Sequence, residues 1–165
     1  MISIVIPTYN EVKNILPLIK RIITLIEDID YEIIIVDDDS PDGTSEKINK
    51  YMKNNSKIKL ITRLGRTGLS SAIKEGLLFA RGEYLLVLDG DGQHDPKFVL
   101  NMINEIMNNN SDLVIGSRFL SSSNLKGLSN RRSLGSKIAN KVARFSLPSN
   151  YSFITDYLSG CFCIK

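Results

Sequence analysis

Five short runs of aliphatic and β-branched residues, at 2–6, 31–36, 58–61, 84–88 and 113–115, alternate with segments of helical periodicity from the start of the chain. The runs are continuously apolar, the pattern of strands covered on both faces. Between the first two, Ile15, Ile19, Ile22, Ile23 and Ile26 recur at helical spacing, with Pro17 tolerable because it falls in the first turn. Residues 44–54, 70–80 and 96–107 supply three further helices, the last opened by Pro96. Alternation of this kind predicts right-handed βαβ crossovers and an open, mostly parallel α/β sheet flanked by helices. At 165 residues and 42% hydrophobic, the chain is long enough for one domain over 1–165 with a sizeable core.

Open α/β sheets bind their ligands outside the carboxyl ends of the strands. After the first run come Pro7, Thr8, Tyr9, Asn10 and Glu11; after the second, Asp37, Asp38, Asp39, Ser40, Pro41, Asp42 and Gly43. The fourth is followed by Asp89-Gly90-Asp91-Gly92-Gln93-His94 and the fifth by Gly116-Ser117-Arg118. A lone D-x-D is most often a solvated turn, but polar residues converging from four loops argue against that here. The spacing of Asp89 and Asp91 lets two carboxylates point the same way, and Mg²⁺ and Mn²⁺ prefer oxygen donors; Gln93 offers a further, neutral oxygen. Gly90 and Gly92 leave the backbone free to turn and allow a ligand to come close.

Three adjacent aspartates are electrostatically costly without donors to face. Asp38 is assigned the N–H edge of a uracil or guanine, whereas Asp37 and Asp39 are explained equally well by turn chemistry, and Asp42-Gly43 suits a helix start near Thr44. Tyr9 can stack on a base or pack into its own loop. Glu11 can accept from a ribose hydroxyl or favour a helix N-terminus. Arg118 suits a forked contact with phosphate, and Arg131 and Arg132 follow the polar stretch 117–130, from which they could swing over the site. The segment from Gly65 to Ser71 lacks the P-loop pattern and reads as a helix start with backbone N–H groups available.

Composition narrows the classes. A net charge of +3 is too small to point to nucleic acid. Residues 113–155 nevertheless hold seven of the 21 basic residues and none of the 18 acidic ones, which suggests an anionic partner for that part. No apolar stretch approaches the roughly 20 residues of a membrane span, and no basic and apolar leader precedes the first strand, so an intracellular chain is expected. Cys161 and Cys163 form a lone C-x-C, read as buried reduced thiols. His94 is the sole histidine, without a G-x-S-x-G elbow, and reads as a packing residue. A last helical pattern runs through Leu134, Ile138, Val142 and Phe145 towards Pro148.

Taken together, Ile6-Pro7-Thr8-Tyr9-Asn10-Glu11, the run from Val36 to Thr44, Gly68-Leu69-Ser70-Ser71-Ala72, Asp89-Gly90-Asp91-Gly92-Gln93-His94 and Gly116-Ser117-Arg118-Phe119 resemble glycosyltransferase family 2. Within it they are most similar to the dolichyl or polyprenyl phosphate mannosyltransferases. The resemblance implies a GT-A type, Rossmann-like fold, inverting transfer and a requirement for Mg²⁺ or Mn²⁺. Residue by residue, it implies Pro7, Tyr9, Glu11, Val36 and Asp38 around the nucleoside, with Asp89, Gly90, Asp91 and Gln93 at the diphosphate and metal. It further implies Arg118 on phosphate and Arg131 or Arg132 on the acceptor phosphate. Asp156 with Ser159-Gly160 resembles the family's later D-x-x-S-G segment, near sugar and acceptor. Gly90 and Gly92 stand where the subgroup has alanine and leucine, and Asp95 where it has a second proline. Such enzymes continue beyond the point at which this chain stops, so a chain without the family's C-terminal closing segment is expected.

The expected function is transfer of a sugar, mannose from GDP-mannose, to a polyprenyl (dolichyl) phosphate, by a cytoplasmic chain peripheral on the cytosolic face of a membrane. Asp89, Asp91, Arg118, Arg131 and Asp156 carry the catalysis in that reading. The acceptor phosphate is already anionic near neutral pH and attacks without a side-chain base, which accounts for the lack of a clear one. A hydroxyl acceptor would want a base, and Asp156 is the remaining candidate. The alternatives are a family 2 transferase that builds polysaccharide or glycolipid from a UDP-sugar, and an inactive nucleotide-sugar-binding fragment or subunit acting with a protein partner.

Overall fold

The computed structural model describes residues 1–92, 96–109, 111–117, 144, 146, 148, 151, 154–157 and 159–165. Its elements run β1 (Ile2–Thr8), α1 (Ile15–Leu25), β2 (Tyr31–Asp37), α2 (Thr44–Met52), β3 (Ile58–Thr62), α3 (Leu69–Phe79), β4 (Tyr84–Val87), α4 (Pro96–Asn108), β5 (Leu113–Ile115) and β6 (Phe162–Ile164). They form a six-stranded sheet in the order β3-β2-β1-β4-β6-β5. The pairs β1–β2, β1–β4 and β2–β3 are parallel, as continuous apolar runs joined by helices require. The expected helix at 134–145 lies outside the described residues except for Arg144, which is helical.

The period of two along each strand divides the core. Ile2, Ile4 and Ile6 of β1 and Ile33 and Ile35 of β2 face one side, where Ile15, Leu18, Ile19 and Ile22 of α1 and Val99, Met102, Ile103 and Ile106 of α4 cover them. Val5, Ile34, Val36 and Val87 face the other side, under Ala72 of α3. Gly76 lets α3 lie close on that face, because a Cβ there would overlap Val5 Cγ1. At the amino ends of the strands, Ser3 Oγ donates to Glu32 Oε1 (2.6 Å), Lys59 pairs with Oε2, and the Arg81 N–H donates to Oε1 (2.7 Å).

One strand departs from the expectation drawn from sequence. β6 runs antiparallel between β4 and β5, pairing Val87 with Phe162 on one side and Ile115 with Phe162 on the other. Phe162-Cys163-Ile164 is no shorter than the Leu113-Val114-Ile115 run of β5, but it does not directly follow a helical pattern, so the alternation that marks β5 does not mark it. The two thiols are buried and unpaired with each other, as expected. Being antiparallel, β6 brings its amino end, and therefore Ser159 and Gly160, to the carboxyl ends of its neighbours. The sheet order reverses between β1 and β4, which makes their carboxyl ends the switch point where a crevice opens.

Candidate active site

At the carboxyl edge, the register puts Thr8, Asp37 and Thr62 in one row across β1, β2 and β3. Asp37 is wholly buried and serves the architecture. It accepts from Thr8 Oγ1 (2.9 Å), Ser40 N (3.0 Å), Ser40 Oγ (2.6 Å) and Ser45 Oγ (2.7 Å), stitching two loops to the sheet. Asp39 is exposed and sits at φ 55, while Asn10 in the facing loop sits at φ 61. Both are side chains that tolerate the left-handed region. The Asn10 N–H donates to Ser40 Oγ (2.9 Å), which binds the two turns together. Asp42 accepts from the N–H groups of Thr44 and Val12, each at 3.0 Å, fixing the start of α2.

Asp38 differs from both neighbours. It lines a cleft of about 340 Å³ together with Pro7, Thr8, Tyr9, Thr67, Gly68, Leu69 and Ala72. The walls are largely apolar and Tyr9 is 55% exposed, so a flat ring has a surface to lie on. Asp38 itself is only 7% exposed. Its Oδ2 accepts the Gly68 N–H (2.8 Å), so that one of the N–H groups at this helix start serves the carboxylate. Its Oδ1 lies 3.2 Å from Arg63 Nη1, off line for a hydrogen bond, and among the described residues it has no hydrogen-bond partner.

The carboxylate pair adjoins this cleft. Gly90 is pressed against β1: a Cβ there would lie 2.9 Å from the Pro7 carbonyl oxygen and 3.0 Å from Thr8 Cγ2. The missing side chain thus serves a backbone approach within the fold. Gly92, at φ 71, makes the turn that follows. Asp89 and Asp91 are both half-buried. On the far side, Gly160 packs against the Asp89 carboxylate, the position of a Cβ being 2.7 Å from Oδ1 and Oδ2. Ser159 Oγ donates to the Gly116 carbonyl (2.6 Å), the Gly116 N–H donates to the Cys161 carbonyl (2.9 Å), and Thr155 Oγ1 donates to Ser117 Oγ (2.7 Å). The late segment containing Asp156, which is 1% exposed, is thereby fastened to the loop after β5 and beside Asp89.

The structure therefore gathers Pro7, Tyr9 and Asp38 in one cleft, sets Asp89 and Gly90 next to it, and brings up the Asp156 segment from the other side. Val36 is different: it is wholly buried, with its side chain against the face that carries α3 and its strand paired with β1 on one side and β3 on the other. Glu11 is not among the cleft-lining residues; its carboxylate accepts from Asn14 Nδ2 (2.8 Å) and its N–H donates to Thr44 Oγ1 (3.0 Å). Gln93, His94, Arg118, Arg131 and Arg132 lie outside the described residues. Arg63 is the residue that sequence reasoning missed. It directly follows β3, so the strand-end rule that led to the other loops would have found it.

Comparison with known structures and proteins fixes the class. Glucosyl-3-phosphoglycerate synthase from Mycobacterium tuberculosis, solved with Mn²⁺, UDP-glucose and phosphoglyceric acid, superposes with a TM-score of 0.73. The match covers 100% of this chain and 56% of that one at 20% identity. The mannosyltransferase PcManGT from Pyrobaculum calidifontis, in complex with GDP-Man and Mn²⁺, gives 0.54 over 70% of this chain and 35% of that one, at 23% identity. The fold is thus that of the GT-A glycosyltransferases. The chain belongs to glycosyl transferase family 2, whose family model matches residues 3–163. A dolichol-phosphate mannosyltransferase from Pyrococcus furiosus is 39% identical over 99% of this chain and 46% of its own length. A dodecaprenyl-phosphate galacturonate synthase from Rhizobium johnstonii is 33% identical over 71% of this chain and 36% of its own. The chain therefore spans less than half the length of these relatives. Among the described residues no helix is long and apolar enough to cross a membrane.

Proposed function

We propose that this chain is the donor-binding part of an inverting, metal-dependent glycosyltransferase that moves a sugar, mannose from GDP-mannose foremost, to a polyprenyl phosphate at the cytosolic face of a membrane. The observation that carries this reading is the buried Asp38 Oδ1, an acceptor without a hydrogen-bond partner among the described residues, in a cleft whose Pro7–Thr8 wall also packs Gly90 between the two carboxylates. A buried carboxylate oxygen without a donor is unfavourable unless something supplies one. The N–H edge of guanine or uracil does so, with the ring laid against Tyr9. The names of two relatives favour the acceptor: one contains dolichol phosphate and the other dodecaprenyl phosphate, different sugars on the same kind of lipid.

The diphosphate of such a donor extends from the cleft towards Asp89 and Asp91. Among the described residues no group of three acidic, histidine or cysteine side chains could hold a metal by itself. Two carboxylates suit Mg²⁺ or Mn²⁺, which take their remaining oxygens from water and substrate phosphates, and Gln93 would add a neutral donor. When bound, the cation offsets charge on the departing diphosphate. The protein's own work is to hold the base through Asp38, fix the diphosphate through Asp89 and Asp91, and meet phosphate with Arg118 and Arg131. Asp156, in the segment whose Gly160 packs against Asp89, bounds the sugar and acceptor side. No side chain needs to remove a proton from an acceptor that is already an anion.

Calorimetric titration with GDP-mannose and UDP-glucose, with and without Mn²⁺, followed by transfer assays on polyprenyl phosphate, tests this reading. Metal-dependent binding of GDP-mannose is expected, and Asp91→Ala should reduce it by about a hundredfold or more, since losing even a partner of a metal ligand costs roughly 10–100-fold, while circular dichroism stays native. Undiminished binding by that variant would refute the assignment. Binding without transfer would make the chain a donor-binding subunit completed by a partner polypeptide.

A further inference from the structure

We propose that Arg63 is a positioning residue for base selection: it orients the Asp38 carboxylate and supplies its counter-charge, leaving one oxygen to accept an N–H from the nucleobase. The inference rests on the donor-binding reading above and deepens it. Arg63 is 3% exposed, and arginine is rarely buried so fully without partners. Its guanidinium spreads over several groups at once. Nη2 donates to Ser71 Oγ (2.7 Å), Nη1 donates to the Gly68 carbonyl (3.3 Å) and faces Asp38 Oδ1 at 3.2 Å, and Nε faces Glu75 Oε2 at 3.4 Å. Glu75 is shared with the exposed Arg66 at 3.2 Å, so two cations and two carboxylates alternate from the cleft to the surface.

The two oxygens of Asp38 are therefore spent differently. Oδ2 is taken by the Gly68 N–H, an amide that Arg63 holds in place through the carbonyl of the same residue and through Ser71. Oδ1 is compensated in charge while its lone pair remains unspent. Such an oxygen accepts from guanine N1–H or uracil N3–H. Adenine and cytosine present a lone pair at the equivalent ring nitrogen, which the carboxylate repels. A planar fork can reach Asp38, Gly68 and Ser71 together, and an ammonium cannot. Without the guanidinium, Asp38 would be free to turn and the filter would relax.

Calorimetry with GDP, UDP, ADP and CDP in the presence of Mn²⁺ reads this directly. The unsubstituted chain should bind GDP or UDP at least about tenfold more tightly than ADP or CDP, the worth of one charge-assisted hydrogen bond. Arg63→Met should bring that ratio close to one, Arg63→Lys should keep part of it, and Ser71→Ala, at an exposed position, should narrow it about threefold through loss of one of the hydrogen bonds that hold the guanidinium. A role confined to stability would lower the melting temperature and weaken all four nucleotides alike, leaving the ratio intact. Unchanged ratios in Arg63→Lys and Ser71→Ala overturn the inference even if Arg63→Met does not fold. A chain that binds none of the four nucleotides fails the donor-binding reading instead, and one that binds all four alike fails Asp38 as base reader and this inference with it.

Discussion

Gly160 has no room for a side chain, since a Cβ there would sit 2.7 Å from both oxygens of Asp89. Gly160→Ala must displace that carboxylate or the turn before β6. We expect the variant to lose about tenfold or more in Mn²⁺-dependent affinity for GDP-mannose while its preference among bases stays as it was, because the cleft around Asp38 is untouched. Titrations with Mn²⁺ and with EDTA separate the two effects. The three adjacent aspartates show what single residues disclose in sequence and what they withhold. Their shared need for donors and the singling out of Asp38 were legible; the partners that meet that need were not. These are Thr8, Ser40 and Ser45, converging on Asp37 from separate elements, and Arg63, reaching Asp38 from the end of β3. Nothing local marks such distant partners.

Among the elements, α3 is the most constrained. Gly76 lies against Val5 and Val36, two wholly buried β-branched side chains with little freedom to yield. Alanine would gain about 1 kcal/mol of helix propensity, yet overpacking at such a contact costs about 1–3 kcal/mol or more. Gly76→Ala should therefore lower the melting temperature, and because α3 carries Gly68 and Leu69 it should also disturb the cleft. The β1–β2–β3 network makes a second element-level prediction. Burial acts to raise the Glu32 pKa, but hydrogen bonds from Lys59, Ser3 and the Arg81 N–H, together with the Lys59 charge, outweigh it and hold the carboxyl below its usual range. A folded-state pKa below the unfolded one gives stability that is complete above the unfolded value near ~4.3 and is lost as pH falls through the folded value. Denaturant melts should show Glu32→Gln less stable than the parent at pH 7, with the gap closing as the pH falls below about 4. Among the described residues, helix and strand periodicity revealed nine of the ten elements to within a few residues. The tenth, β6, escaped because it falls outside the strand and helix alternation that marks the equally short β5.

For the molecule as a whole, the sheet separates a large core under α1 and α4 from a smaller one under α3. Both thiols lie within this structure, and burial, followed for Cys161 by the Asp89 and Cys163 charges, pushes each of them up to about 12. They should resist thiol reagents in the native state and both react once denaturant opens the sheet, so the labelling rate reports that opening. Fold class, strand-end convergence and family were legible in the residue pattern because each rests on local period or ordered motifs. The meeting of Gly160 with Asp89 was not, because it follows from an antiparallel insertion that only the assembled sheet displays. That insertion also sets an order of events. Residues 159–164 slot between β4 and β5, both made well before them, whereas β1, β2 and α3 are complete far earlier. A nascent polypeptide leaving the ribosome can shape the cleft around Asp38 first, and the wall beside its carboxylates must wait for β6 to emerge.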